Sequence, residues 1–210
     1  VVVRMPTGGG SAAGPFHSQS NEAWFFHLPG LKIGYPSTPS DAKGLLLAAF
    51  EDPNPVLYFE HKGLYRSLRE EVYTEEFTTE IGKARWVQEG EEITLITYGL
   101  AVQWCQEVVA ELEIDATILD LRTLLPWDKE AVRHAVATSG KVLIVHEDTL
   151  EGGIGGEIAA WIGEHCFTSL DAPVMRVGSL DTPIPFNADL EINFMAKSRL
   201  KGKVQELLGW

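Results

Sequence analysis

Short, nearly continuous apolar runs alternate along this chain with segments whose apolar residues recur every three or four positions, most clearly in the second half. Ile93–Tyr98 is an apolar run closed by Gly99, and Val102–Leu112 follows at helical spacing. Ala116–Leu121 is a second such run. Lys129–Thr138 is helical again, with Asp128 placed to cap its first turn. Lys141–His146 and Val174–Val177 complete a set of four strands, and Gly155–Cys166 and Arg199–Leu208 a set of four helices. Apolar runs bounded by turn signals suit strands buried on both faces. Strands joined through single helices need right-handed crossovers, so the reading is α/β, with these four runs in one mostly parallel sheet.

The first half repeats the alternation in shorter form. Val1–Met5 reads as a strand, Pro6–Pro15 as a loop rich in glycine, and Asn21–His27 as a brief helix. Lys32–Tyr35 is a strand ended by Pro36, Ser40 can cap a helix running to Phe50, and Val56–Phe59 is another strand. This amounts to about half of an α/β sheet. A strand at Val1 would form an edge with unpaired backbone, so the rest of that domain is expected upstream or on another chain. Between the halves, Arg69–Glu92 holds eight glutamates and reads as a surface linker.

Charge narrows the partners. Thirty acidic against 17 basic residues give a net charge of −13, the wrong balance for nucleic acid. Lys197, Arg199, Lys201 and Lys203 form one basic cluster, read as the solvated face of the last helix. No apolar run approaches the roughly 20 residues of a membrane span, and no signal-peptide pattern is present. Cys105 and Cys166 sit in helical patterns as small buried hydrophobes, without disulfide or zinc spacing, which suits a reducing compartment.

Two segments invite chemistry. His17 follows the glycine-rich loop and can act as a general acid or base, although a hydrogen-bonded loop histidine is the commoner arrangement. His27, His61, His134 and His165 have less around them. Gly152–Glu157, GGIGGE, follows a strand and opens a helix as a phosphate cradle would, but its spacing departs from the dinucleotide fingerprint.

The strings PTGGGSAAGPFHSQSNEAWFFHLPGLKIGYPSTPSDAKGLL, EDPNPVLYFEHKGLYR, DLRTLLPWD, VLIVHE, GGIGGEIAAWI, LDAPVMRV and DTPIPF together resemble the E1 β subunits of thiamine-diphosphate-dependent 2-oxoacid dehydrogenases. They occur in order over nearly the whole chain. The resemblance implies the C-terminal part of a pyrimidine-binding domain over residues 1–66, an acidic linker over 67–85, and a transketolase C-terminal-like domain over 86–210. HSQS followed by NEAWFF, with DLRTLLPWD, looks more like the branched-chain than the pyruvate enzyme, which is the alternative. A transketolase-like sugar-phosphate enzyme fits HSQS and EDPNP less well.

By that resemblance the whole enzyme decarboxylates a 2-oxoacid and acylates the lipoate of E2. It would use thiamine diphosphate with Mg2+ and potassium (K+). Its partners would be an E1 α part, a second β part, and the lipoyl and peripheral subunit-binding domains of E2, in the bacterial cytoplasm or the mitochondrial matrix. His17 matches the histidine that donates a proton during reductive acylation. Ala49, Asp52 and Asn54 match a potassium-binding segment, mainly through backbone carbonyls; a helix terminus followed by a Pro-bounded turn is the other reading. Asp171 and Trp210 match positions that dock E2, against a turn-forming aspartate before Ala-Pro. GGIGGE becomes a tight strand-to-helix turn, and Asp148 and Glu151 stand where the family is less acidic. The family's cofactor-binding glutamate lies well upstream of HSQS, and the sixteen residues before His17 include no acid. No cofactor-binding residue is therefore assigned here, and this segment alone is expected to be an inactive, dimerising and E2-docking module.

Overall fold

The computed structural model describes residues 1–210. The first half contains β1 (Val2–Thr7), α1 (Gly14–Ser18), α2 (Ala23–Phe26), β2 (Lys32–Gly34), α3 (Pro39–Glu51), β3 (Val56–His61) and α4 (Leu64–Ser67). The second contains β4 (Arg85–Gln88), β5 (Ile93–Thr97), α5 (Ala101–Leu112), β6 (Ala116–Asp120), β7 (Thr123–Leu125), α6 (Lys129–Ser139), β8 (Val142–Thr149), α7 (Gly155–His165), β9 (Met175–Ser179), α8 (Ala188–Phe194) and α9 (Lys197–Leu208).

The four predicted strands of the second half lie in one sheet of order β4-β6-β5-β8-β9, parallel except for β4. Asp128 caps α6 as expected, accepting the Ala131 N–H at 3.1 Å. In the first half, β1 is the edge of a sheet ordered β1-β3-β2-β7. Its last strand comes from the second half and runs antiparallel to β2.

Two expectations need correction. Thr38, not Ser40, caps α3: its backbone is extended, its hydroxyl oxygen accepts the Asp41 N–H at 3.1 Å, and Pro39 fills the first turn, where a missing N–H does no harm. The acidic stretch is not linker throughout, because Arg85–Gln88 pairs as β4 with β6. What remains is a surface connection seated on α3. Lys43 Nζ donates to the carbonyls of Tyr73 and Glu75 and lies 5.0 Å from the Phe77 ring.

Two apolar clusters fill the interior. One belongs to the second sheet with α5 and α9. The other crosses between the sheets, joining Ile33, Tyr35 and Phe59 to Tyr98, Leu121, Leu124 and Trp127. Tyr35 stacks on Phe59 at 5.6 Å and meets Tyr98 at 5.2 Å, so the two halves share a core. The basic cluster is partly spent on helix pairing, with Lys197 on Glu107 and Lys201 on Glu111, each at 2.6 Å. Both cysteines are free and buried. No helix is long and apolar enough to cross a membrane.

Gly44 tests the seated linker. A methyl there should add about 0.5–1 kcal/mol of helix propensity, yet it would meet Thr79 Oγ1 at 2.2 Å and Thr79 N at 3.0 Å. Gly44→Ala should therefore lower the Tm and speed proteolysis within residues 69–81. A higher Tm with unchanged proteolysis would show that this segment does not pack on α3.

Candidate functional site

The glycine-rich loop closes into a compact turn. Gly8, Gly10 and Gly14 have φ of 97°, 90° and 66°, a region that side chains disfavour, and this explains the composition. A Cβ on Gly8 would lie 2.1 Å from His61, and one on Gly14 2.3 Å from Phe186, so the loop also lies directly on its neighbours. Thr7 Oγ1 donates to the Gln19 carbonyl at 2.8 Å, tying the ends of the segment together. His17 is exposed near the end of α1, beside exposed Phe16.

Beneath the loop lies a buried polar layer. Glu147 Oε1 accepts the Gly9 N–H at 2.7 Å and the Ser20 hydroxyl at 3.1 Å, while Oε2 meets His61 Nε2 at 2.6 Å. Gly63 N–H donates to His61 Nδ1 at 3.0 Å, which assigns the ring proton to Nε2, facing Glu147. Burial opposes charge on Glu147, but His61, Gly9 and Ser20 more than offset it and hold the carboxyl below its ordinary range. Glu191 of α8 accepts the Ala12 N–H at 2.8 Å from the other side.

Beside Glu147, Glu22 accepts the Tyr98 hydroxyl at 2.7 Å, and its second oxygen is buried without a partner. Burial first, then Asp148, pushes Glu22 up to about 8. Burial also pushes Asp148 up to about 6. Asp148 is thus an interior residue, whereas Glu151 is exposed.

This layer was missed in the sequence. Its signal was the pair of strand ends FEH and VHED, where polar residues close buried runs. The C-terminal ends of parallel strands are where α/β folds build sites.

The GGIGGE glycines serve packing. Cβ atoms on Gly153 and Gly155 would each lie 2.7 Å from His146, whose Nδ1 bonds the Asp148 carbonyl at 3.0 Å. Burial pushes His146 down to about 4, so it is a neutral core residue. The segment is a turn folded over an imidazole.

The remaining candidates fall into two places. Ala49 ends a buried face of α3, and the Asp52 carboxylate is paired with Lys32 and accepts the Asn54 N–H at 2.9 Å. With an ammonium already on it, that carboxylate is a poor cation ligand. Asp171 and Trp210, distant in sequence, line one open depression of about 510 Å3 with Phe167, Leu170 and Pro173. Both are exposed; the Asp171 N–H also donates to the Gly140 carbonyl at 2.9 Å, consistent with a turn role.

Family profiles match residues 1–67 to the transketolase pyrimidine binding domain and residues 82–199 to the transketolase C-terminal domain. The 2-oxoisovalerate dehydrogenase subunit beta of Bacillus subtilis (strain 168) is 48% identical over 212 residues, covering 99% of this chain and 65% of that subunit. This chain belongs to the transketolase family, with its pyrimidine binding and C-terminal domains, and is similar to 2-oxoacid dehydrogenase E1 β subunits. The mitochondrial 2-oxoisovalerate dehydrogenase subunit beta 2 of Arabidopsis thaliana is 44% identical over 88% of the chain and 52% of its own length. The pyruvate dehydrogenase E1 component subunit beta of Bacillus subtilis (strain 168) is 42% identical over 89% of the chain and 58% of its own length. The chain thus spans half to two thirds of these relatives. A solved structure titled "Split gene transketolase, inactive beta4 tetramer" shares the fold, with a TM-score of 0.79 and 24% identity over 100% of this chain and 66% of that one.

The E1 β family implies thiamine diphosphate, and these residues do not fit it by themselves. The cavity beside Ser18, Glu147 and Asp148 holds about 30 Å3, room for about one water. No group of three or more His, Cys, Asp or Glu side chains is placed to hold a metal ion.

The Glu22–Asp148 pair should be visible in stability. A carboxyl raised from 4.5 to about 8 keeps its proton in the folded state, so its contribution is full below its unfolded value and is lost as pH rises through the folded one. His146, lowered from 6.5 to about 4, has the opposite sign only below its ordinary value. Between about pH 6.5 and 8.5 the carboxyl pair therefore dominates, and Tm should fall with rising pH. In Glu22→Gln that fall should shrink, as read by calorimetry across the window. An unchanged slope would mean that Glu22 does not hold its proton there.

Proposed function

We propose that this chain is the β part of the E1 component of a branched-chain 2-oxoacid dehydrogenase, with His17 as the proton donor in reductive acylation. The reading rests on one arrangement: His17 is exposed on a short helix whose flanking residues are tied to buried glutamates, so an imidazole is held at the surface within reach of a visiting group. The greater identity to the 2-oxoisovalerate than to the pyruvate dehydrogenase subunits, 48% against 42%, favours the branched-chain substrate.

The chemistry suits an exposed imidazole. When the nucleophilic carbon left by decarboxylation of the 2-oxoacid attacks a lipoyl disulfide, its electron pair forms the carbon–sulfur bond. The sulfur–sulfur bond breaks, and the departing sulfur leaves with that bond's pair and a negative charge, so the carbon is oxidised to the acyl level and the disulfide reduced. A proton delivered from His17 leaves that sulfur as a neutral thiol and His17 as a neutral base. Thiamine diphosphate supplies the decarboxylation chemistry in the whole enzyme. We assign its Mg2+ and diphosphate contacts to groups other than these residues, with the E1 α part as the main contributor. Potassium, if held near Ala49, Asp52 and Asn54, would rest on main-chain oxygens, since the Asp52 carboxylate is paired with Lys32.

The depression of Asp171 and Trp210 supports a second contact, with the peripheral subunit-binding domain of E2. It offers a carboxylate beside an aromatic anchor, the pairing that recognises a basic helix with an apolar side. Dimerisation with a second β part completes the proposed assembly.

Two outcomes follow in the complete enzyme. His17→Ala should keep most of its decarboxylation with an artificial electron acceptor, and lose at least about 10²-fold with lipoylated E2; equal rates to wild type with lipoylated E2 would end the assignment. Trp210→Ala should weaken calorimetric binding to the E2 domain by about 2 kcal/mol or more, and Asp171→Asn should flatten its salt dependence. Unaltered binding in both would remove this face from the interface.

A further inference from the structure

His61 and Glu147 come from different sheets, at the C-terminal ends of β3 and β8, and they meet at 2.6 Å with almost no solvent around either side chain. A carboxylate there has lost its water, and only good partners offset that loss. Those partners are unequally placed in the sequence. One is His61; the other two, Gly9 N–H and the Ser20 hydroxyl, bracket His17 from both sides, and both use the same oxygen, Oε1. Gly8 presses on the His61 ring, so only glycine fits where the loop enters.

We infer that Glu147, oriented by His61, is the positioning residue for His17: one buried carboxylate fixes the entry and the exit of the segment that presents the imidazole. Glu147 does not touch the reacting sulfur and acts only through that segment, so the inference rests on the role proposed for His17. Three donors converge on the carboxylate, and each requires an acceptor. An amide in its place turns an N–H₂ toward one of them, setting donor against donor. His61 cannot relieve this by moving its proton to Nδ1, because Gly63 N–H already occupies that nitrogen. Glu147→Gln therefore keeps shape and volume while withdrawing the force that closes the loop.

Small displacements of a proton donor slow the step it serves. A shift of about 1 Å can lower a rate by as much as 10²-fold without changing how the partner binds. In the complete enzyme, Glu147→Gln should reduce kcat for lipoylated E2 by about 10-fold or more, leave KM for E2 unchanged, and leave decarboxylation with an artificial acceptor near wild type. Amide hydrogen exchange should accelerate at residues 8–20. His17→Ala/Glu147→Gln should be no slower than His17→Ala, because a residue acting only through His17 has nothing left to position. Ser20→Ala, which removes one bond and leaves the His61–Glu147 pair intact, should show a milder selective loss and carries the test if Glu147→Gln does not fold.

Equal losses in both assays, or additive losses in the double variant, would overturn the inference in favour of a general structural role. Ordinary exchange at residues 8–20 in both Glu147→Gln and Ser20→Ala would overturn the clamp itself. Unaltered acyl transfer in His17→Ala with accelerated exchange in Glu147→Gln would instead overturn the reading of His17 while leaving the clamp in place.

Discussion

A charged carboxylate sealed between two sheets has to find enough donors to replace its water, and Glu147 finds them on three separate pieces of chain. That requirement ties the architecture together. β3 must deliver His61 and β8 must deliver Glu147 to one point, so the two sheets have to face each other with their C-terminal strand ends adjacent. The glycine-rich loop must then come low enough for a backbone amide to reach Oε1, which glycine at position 8 permits. Removing one partner from such a buried group commonly costs about 3–5 kcal/mol, so each partner constrains the others.

Apolar packing supplies the frame in which this contact is possible. Phe59, Tyr35 and Tyr98 pass from one sheet to the other, and Tyr98 lies against His146 with ring centroids 6.4 Å apart. β7 belongs to the second half in sequence and to the first sheet in space, antiparallel to β2. The halves are therefore joined by backbone pairing and by a common core as well as by the acidic connection. Along this seam the polar groups are organised in the same way. Ser37 and Arg85 both donate to Asp120, and Arg122 donates to Asp41, so charges at the junction are paired across it.

Buried protons sit next to the ionised carboxylate. Glu147 is held charged, whereas burial pushes Glu22 and Asp148 toward the neutral form, with Asp148 adding to the effect on Glu22 and Glu147 to the effect on Asp148. Neighbouring acids with environments that drive them apart let one carry the charge while another keeps its proton. Asp148 belongs to this balance. The exposed surface above is simple by comparison: His17 and Phe16 stand out on the short helix α1, above the buried polar layer.

What the sequence determined by itself was everything governed by local periodicity. The strands Ile93–Thr97, Ala116–Asp120, Val142–Thr149 and Met175–Ser179 and the helices between them follow from apolar runs and spacing, and Asp128 announces its helix. The motif strings located His17 and the family. Tertiary structure alone decided the rest. β7 is three residues long, too short for a periodic signal, and pairs with a strand of the other half. β4 hides at the edge of an acidic stretch because partial burial leaves it no clean apolar run. His61 looked idle because its partner lies 86 positions away, and the glycines of GGIGGE because theirs is the ring of His146, at the end of the preceding apolar run. Periodicity records which face of an element is dry, but the meeting of two polar side chains in the interior depends on how separate elements pack.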